Sequence, residues 1–417
     1  MLLYFLGAIM LLLVLFFIFI RIKYRFWAVQ PVYHFYDVYY WFFNVGIIRH
    51  ELPEKNRYTN FKDIETIKAD KVLGDDSIMK AKLTNFVDLI QLNYLRNEDN
   101  TFLPEKGNII PYFEGHNSPS FFSFFWEPDV LMDVKTNTTI ESKLLVGAIT
   151  SRPLNVTIYK TNNPEPVKFD TFYVDYLCVK KGFRKKNIAP QLIQTHEYNQ
   201  CHMNKNICVS LFKREGELTG IIPLTLYQTY VFDMKNWVKP PEQLHSKTTL
   251  LVGDSQNIYY LYNFINELTN RHNHSRKHCK WDITIIPEIT NLISLVKSKN
   301  MYIYMLLTDM EIEAVYIFKK TCTNIEKGKE MLVLIASING INLTLKKFTQ
   351  GFKNVLWEIL LNNPNYHYLA IEDVSDNKYI IDNIKVKTHP TFTSPTAYFF
   401  YNYARSPFES SKSLIIN

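Results

Sequence analysis

The sequence predicts an α+β protein in two lobes, preceded by one N-terminal transmembrane helix. Three observations carry this expectation. Met1 to Ile20 holds no charged residue and almost no polar atom. From Leu144 to Phe212, β-branched and aromatic runs lead into a helix-like stretch and a further strand-like run, the meander, helix, strand order of an α+β unit. Pro240-Pro241 then breaks the chain, with strand and helix patterns on both sides of it.

At 417 residues, 47% of them hydrophobic and 21% charged, the chain can bury a large core, as roughly two to three domains or one two-lobed body. Low-complexity stretches and sustained heptads are absent, which excludes disorder, collagen and coiled coil. Glycine is scarce (13), while Tyr (27) and Phe (29) are abundant, as in proteins with large apolar grooves. The formal charge of +7 favours an anionic ligand or a membrane surface. No Lys/Arg stripe with interleaved aromatics accompanies it, so nucleic acid is not an expected partner. The five cysteines are odd in number and unpatterned in spacing, unlike a disulfide framework.

About 20 apolar residues at about 1.5 Å per residue cross the hydrocarbon layer of a bilayer as a helix. A cleaved signal would want a basic n-region, a shorter apolar run and a small-residue cleavage site, and these are not visible. Residues 1–20 are therefore read as a transmembrane anchor. The basic flank Arg21, Lys23 and Arg25 follows the span, which predicts a single-pass membrane protein with a cytosolic body. Sequons at Asn137, Asn155, Asn273 and Asn342 would be glycosylated only with the body on the other side.

After the anchor, Tyr24–Phe43 reads as an aromatic, extended segment, and Ile78–Leu95 has helical apolar spacing. A polar, Pro-punctuated stretch runs from Asn97 to Pro119. Strands are expected at Leu144–Thr150, Leu154–Lys160 and Phe172–Val179, separated by turns at Arg152-Pro153 and Asn162-Asn163-Pro164. A helix over Ile188–Cys201 and a strand at Ile207–Phe212 follow. Beyond the linker, Ile258–Thr269 and Phe352–Leu361 read as helices. Tyr302–Leu307, Ile312–Lys319, Met331–Ile338, Tyr366–Glu372 and Thr396–Tyr403 read as strands.

The stretch richest in chemistry is Phe172 to Ile193. An apolar strand ends at Tyr176-Leu177-Cys178-Val179, a basic loop follows from Lys180 to Asn187, and a helix opens at Ile188-Ala189-Pro190. Free backbone N–H groups and the positive end of the helix dipole, ringed by cations, suit a pyrophosphate. Proline near a helix start is tolerated because its missing N–H has no intrahelical partner there. A solvated basic turn between a strand and a helix would look the same. A second cluster, His272-x-His274-x-x-x-His278-Cys279, lacks the paired spacing of a structural zinc site and reads as a basic loop, with Arg271, Arg276, Lys277 and Lys280 between and beside its members. No metal is expected.

Arg184-x-x-Asn187-x-Ala189 is similar to the acyl-CoA pyrophosphate signature of the GNAT acetyltransferase fold, with Asn in place of the usual glycine. More specifically, Asp175 to Ile193 resembles the N-myristoyltransferase family, which carries an Asn-Phe-Leu-Cys-Val strand, a basic loop and an Ala-Pro-opened helix at this spacing. Tyr24-Arg25-Phe26-Trp27-x-x-Gln30-Pro31-Val32 looks like that family's N-terminal acyl-CoA motif. Asn93-Tyr94, with the polar run to Asn100 and Phe102, is similar to its peptide-contacting loop. Tyr398-Phe399-Phe400-Tyr401-Asn402-Tyr403 followed by Pro407 resembles its closing strand. Weaker similarity covers Lys143–Tyr159 and Tyr368–Asn377.

The resemblance implies two tandem GNAT acyltransferase-like lobes with mixed sheets: an acyl-CoA lobe over residues 21–235, a linker at 236–247, and a peptide lobe over 248–417. It implies transfer of a tetradecanoyl group from myristoyl-CoA, a co-substrate rather than a prosthetic group, to the N-terminal glycine amine of peptides, by a monomer. The backbone amides of Tyr176 and Leu177 would form the oxyanion hole, worth on the order of 3 kcal/mol per donor. Arg25, Phe26, Trp27, Tyr176 and Leu177 would line the acyl and thioester end. Cys178, Val179, Lys185, Asn187, Ile188 and Ala189 would hold the nucleotide end. The base would be the chain's own α-carboxylate, here that of Asn417, behind the apolar Leu414-Ile415-Ile416; burial of such a group raises its basicity. Tyr94 and Asp175 would contact the peptide, Asp175 standing where the family has Asn, and Leu211 falls where the family has a hydroxyl. The rival expectations are a related enzyme using a shorter acyl-CoA and a non-catalytic membrane module that binds an acyl chain or scaffolds a partner.

Overall fold

The computed structural model describes residues 1–43, 45–95, 100–133, 138–160, 165–216, 220–237, 239–270, 279–326 and 328–417. The start of the polar stretch at Asn97, the sequons at Asn137 and Asn273, the Asn162-Asn163-Pro164 turn and the cluster from Arg271 to His278 lie outside these residues.

Helix α1 (Leu2–Lys23) is about 33 Å long at 1.5 Å per residue. Its stretch Tyr4–Lys23 is long and apolar enough to cross a membrane, and nearly all of it projects from the body. The segment after it is not extended as expected. It folds into a 3-10 turn at Trp27–Val29 and a short helix at Val38–Phe42, with buried Val32 and Tyr33 between them.

Strand β1 (Ile64–Lys68) precedes helix α2 (Ser77–Asn93), which starts where the Asp76 carboxylate accepts the Ile78 N–H. Then come β2 (Phe121–Asp133), β3 (Thr138–Ile158), β4 (Val167–Val179), α3 (Ile188–Met203), β5 (Ser210–Glu215) and β6 (Thr225–Asp233). The rest comprises β7 (Thr248–Val252), α4 (Tyr259–Asn270), β8 (Ile283–Ile286), α5 (Ile289–Lys297), β9 (Met301–Thr308), β10 (Glu311–Glu326) and β11 (Lys329–Asn339), then α6 (Leu345–Asn362), β12 (Tyr366–Glu372), α7 (Asn377–Lys385), β13 (Phe392–Tyr401) and β14 (Ser413–Ile415).

One mixed sheet runs through the body in the order β14-β8-β3-β4-β5-β13-β6-β12-β11-β10-β9-β7, with β1 and β2 added beside β3. Antiparallel meanders form both wings, β1-β2-β3-β4 and β7-β9-β10-β11. Each meets its next strand in parallel, β4 with β5 and β11 with β12. The halves of the chain interlock at the centre. β13 inserts between β5 and β6, β6 pairs with β12, and β8 with β14 extends the edge of β3.

Two expected strands are one. β3 runs unbroken through Arg152-Pro153, and its register against β4 explains why the proline is tolerated. The Phe172 N–H, opposite Pro153, donates away from it to the Val209 carbonyl at 3.0 Å. The pair is thus non-hydrogen-bonded, and Pro153 turns its nitrogen to the other edge. That edge is a gap: β2 begins opposite Ser151 and β8 ends opposite Asn155, so neither covers the residues between. β2, with its Phe121–Trp126 run, and β6 had no expectation attached to them.

Candidate active site

Between β3 and β4 the ladder slips. Ala148 faces Cys178 and Thr150 faces Asp175, so Tyr176 and Leu177 share one opposing residue and neither has a register partner. This is a β-bulge, and Tyr176 takes the left-handed backbone at φ +50° that bulges use to re-aim the chain. The Tyr176 N–H is held by its neighbour, the Asp175 Oδ1, at 2.8 Å, and the Tyr94 hydroxyl donates to the same oxygen at 3.0 Å. The Tyr94 phenol is pushed well above its ordinary value by burial and by the Asp175 charge.

On its other side, β4 pairs with β5 over only three positions, Phe172 to Val174, and beyond Val174 the register stops. The opening is a cavity of about 420 Å³ reaching from Trp27 and Leu177 to Phe212, Ile193 and Tyr401. That volume is in the range of small-molecule sites. Its inner wall carries His196, Glu197 and Ser210. Glu197 accepts from Ser210 at 3.0 Å and from Gln200 Nε2 at 2.5 Å, and burial raises its carboxyl against the lowering effect of its hydrogen bonds to Cys201, Ser210 and Gln200. His196 bonds Ser123 and Ser151 at 2.8 and 2.9 Å and is driven by burial down to about 3, a neutral ring throughout the physiological range.

A second cavity of about 350 Å³ opens toward the other half of the chain. It shares Tyr94, Leu95, Tyr173, Asp175, Tyr176, Lys213 and Glu215 with the first, so the two meet over the bulge. Asn417 lines it. Leu414, Ile415 and Ile416 are fully buried, β14 lies parallel to β8, and Asn417 is 4% exposed. The cleft also holds charges that sequence reasoning missed. The Lys213 ammonium meets Glu372 at 2.8 Å and Glu215 at 3.1 Å; burial alone would lower it, but the two carboxylates raise it well above its ordinary value. Lys319 instead lies over the Tyr112 ring at 4.9 Å and is pushed down to about 8 by burial and by the Arg152 charge. Arg152 is buried between the rings of Tyr112 and Tyr173, at 5.1 and 5.0 Å.

A third groove, about 880 Å³, separates α1 from the body. Val14, Phe17 and Ile18 form one wall, and Arg25, Phe26, Arg57 and Asn187 the other. The basic loop is shaped by Lys185 and Asn187, both with positive φ, and leads into α3 with the N–H groups of Ile188 and Ala189 at its first turn. Lys185 is exposed on that loop. The Arg184 guanidinium donates to the Asn93 carbonyl at 2.8 Å and to the Val179 carbonyl at 3.2 Å, which ties the loop to the end of α2. The Cys178 thiol points at the Leu89 carbonyl, 3.9 Å away, and burial pushes it up to about 12. Only its backbone can serve a ligand at the bulge. Cys178, Val179, Lys185, Ile188 and Ala189 line none of the three cavities.

Comparison with known proteins agrees with this architecture. Residues 75–222 match the family model of the myristoyl-CoA:protein N-myristoyltransferase N-terminal domain. Among solved structures, the chain is similar to Saccharomyces cerevisiae N-myristoyltransferase with bound myristoyl-CoA, at TM-score 0.66 and 13% identity, over 93% of this chain and 94% of that one. A second structure of the yeast enzyme with myristoyl-CoA gives TM-score 0.65 at 15% identity, covering 93% and 90%. A tandem GNAT protein from the clavulanic acid biosynthesis pathway gives TM-score 0.51 at 10% identity, covering 81% and 98%. The search of curated proteins finds no match. The chain thus has the N-myristoyltransferase fold, with GNAT-like neighbours.

Proposed function

Since residues 75–222 match the N-myristoyltransferase N-terminal domain and the fold extends over nearly the whole chain, we propose that this protein transfers a tetradecanoyl group from acyl-CoA to the N-terminal glycine amine of a peptide. The observation that carries the proposal is the meeting of the two cavities over the Tyr176-Leu177 bulge, with the buried chain end in one of them.

In this reading the acyl chain occupies the cavity between the splayed β4 and β5. The thioester carbonyl sits at the bulge, and the nucleotide end lies along Arg25, Phe26, Lys185, Asn187 and the first turn of α3. The peptide enters the second cleft. Its ammonium meets Asp175 and gives a proton to the Asn417 carboxylate. The freed amine nitrogen bonds to the carbonyl carbon, the oxyanion that forms is held by backbone N–H groups, and the bond to sulfur breaks, with the second proton of that nitrogen passing to the departing sulfur so that the amide and the thiol of CoA result. Of the two donors without a partner across the ladder, the Tyr176 N–H is held by Asp175 and the Leu177 N–H is the one offered to the carbonyl. The Tyr176 N–H becomes available only when Asp175 turns from it toward the ammonium, so acceptor binding would arm the oxyanion hole. We assign the acyl-CoA role to residues 21–235, the linker to 236–247 and the peptide role to 248–417, with strands exchanged between the two halves. α1 is read as a single membrane span, with the body cytosolic because Arg21, Lys23 and Arg25 follow it.

The test is single-turnover transfer from myristoyl-CoA to a glycine-starting peptide, by the full chain and by one extended by a residue past Asn417. The expected result is loss of transfer by about a hundredfold or more with acyl-CoA binding unchanged. An extended chain that transfers at the original rate would remove the terminal carboxylate from the mechanism. Because Asp175 occupies the Tyr176 N–H, an acyl-binding module without turnover is the second reading. Tight acyl-CoA binding with no transfer by either chain would favour it.

A further inference from the structure

The chain between Tyr33 and Gly46 leaves the body and returns to it, and both ends are pinned. At the exit, His34 bridges Ile221, the Tyr33 carbonyl accepts the Ile222 N–H at 2.7 Å, and the Phe35 N–H donates to the Gly220 carbonyl at 3.0 Å. At the return, Gly46 and Ile47 pair with Ala404 and Tyr403. Asp37 is turned inward, its carboxylate on the His34 N–H at 2.9 Å and on the ring Nδ1 at 3.2 Å. Between these anchors the chain carries no charge from Val38 to Phe43. Val38, Tyr39, Trp41, Phe42 and Phe43 are each between 56% and 76% exposed. A loop held at both ends that turns its aromatic side chains outward presents them to something, since monomeric soluble surfaces rarely keep such a patch.

Its position says to what. The Phe35 ring meets the Phe16 ring of α1 edge-on, with centroids 6.5 Å apart. Phe16 lies five residues before Arg21, about 7.5 Å along the helix axis at 1.5 Å per residue. With α1 across a bilayer and Arg21 and Lys23 at the headgroups, Phe16 sits about 8 Å inside that collar, and Phe35 lies against it. This is the depth at which amphipathic aromatic segments lie, about 5–10 Å into the headgroup–acyl boundary. Tyr and Trp, with apolar bodies and polar tips, are the residues of that layer.

We propose that the 35–43 loop is a second membrane contact, which lies in the interface beside α1 and holds the body in a fixed orientation. The inference rests on reading α1 as a membrane span. It differs from that reading in claiming that the body itself, not only the anchor, meets lipid.

The experiment uses the full chain reconstituted into phosphatidylcholine–phosphatidylserine vesicles whose acyl chains carry bromine near the headgroup. Trp41 emission is taken as the difference between the native chain and Trp41→Phe. The expected result is at least twofold quenching of the Trp41 component by the brominated lipid and little by aqueous acrylamide. In a Val38→Asp/Phe42→Asp variant the chain should still sediment with vesicles through α1, while Trp41 becomes open to acrylamide. A vesicle-bound native chain whose Trp41 is quenched by acrylamide alone would overturn the proposal and leave the α1 reading intact, as would a Trp41 reached by neither quencher, the mark of cover by a second copy. A chain that does not sediment with vesicles would remove the α1 reading and this inference with it.

Discussion

Tyr94 and Asp175, 81 residues apart in the chain, are joined by a hydrogen bond of 3.0 Å, and the oxygen that joins them also caps the Tyr176 N–H at the bulge. One carboxylate therefore touches the end of α2, the Tyr176 N–H proposed as an oxyanion donor, and the cleft proposed for the acceptor amine. On that proposal, a change at Asp175 would be felt by acceptor binding and by carbonyl polarisation together.

Asp175→Asn keeps an acceptor oxygen for Tyr94 and the Tyr176 N–H but removes the charge that an ammonium would meet. Hydrogen bonds to charged groups contribute about 1.5–3 kcal/mol. The acceptor KM should rise roughly tenfold or more, with KM for acyl-CoA unchanged, as steady-state kinetics with a glycine peptide would read.

Gly147 faces Val179 across the ladder and lies under α3. A Cβ there would stand 2.9 Å from Leu192 Cδ1 and 3.2 Å from Ile188 Cγ2. Gly147→Ala crowds the Leu192 and Ile188 side chains of α3, at about 1–3 kcal/mol for an overpacked contact. Affinity for acyl-CoA should fall severalfold while acceptor KM holds, measured by calorimetric titration and by kinetics.

Affinity across saturated acyl-CoAs reports the length of the cavity between β4 and β5. Each buried methylene adds about 0.8 kcal/mol, roughly fourfold in Kd. Tightening should continue to fourteen carbons and then stop. A plateau at eight or ten would mark a shorter acyl-CoA as the substrate.

Lys319 sets a pH dependence of stability. Its amine is held near 8 when folded against about 10.4 when unfolded, because burial and Arg152 disfavour the charged form. The unfolded chain then binds the extra proton, so this group opposes folding below pH 8 and the opposition fades as pH rises toward 10.4. Lys319→Met should stabilise the protein by about 3 kcal/mol at pH 7 and by clearly less at pH 9.5, compared by urea denaturation.

Much of this molecule was legible in its residues. The helices at Ser77–Asn93, Ile188–Met203 and Leu345–Asn362 follow apolar spacing, and the strand, basic loop and helix from Phe172 to Met203 form where their pattern placed them. Each depends on neighbours within a few turns of chain. The merger of two expected strands through Pro153 was not legible, because it depends on where β2 starts and β8 stops, and both are set by distant pairing. The extended reading of Tyr24–Phe43 failed because rings there pack against distant residues, Tyr24 and Phe35 on Gly220 and Trp27 on Phe212, which no local pattern announces.

The sequence by itself determined the apolar helix, several of the strands and helices, and the stretch that carries the bulge, since these follow from local periodicity and backbone chemistry. Only the tertiary structure decided that Lys213 would be paired with Glu372 from 159 residues away, that Lys319 would be left facing a ring, and that the chain end would lie across from Asp175. The physical reason is that a sheet built by exchanging strands between two halves brings distant residues into one cleft. Which charges meet there is fixed by register, and register is a property of the whole sheet rather than of any segment in it.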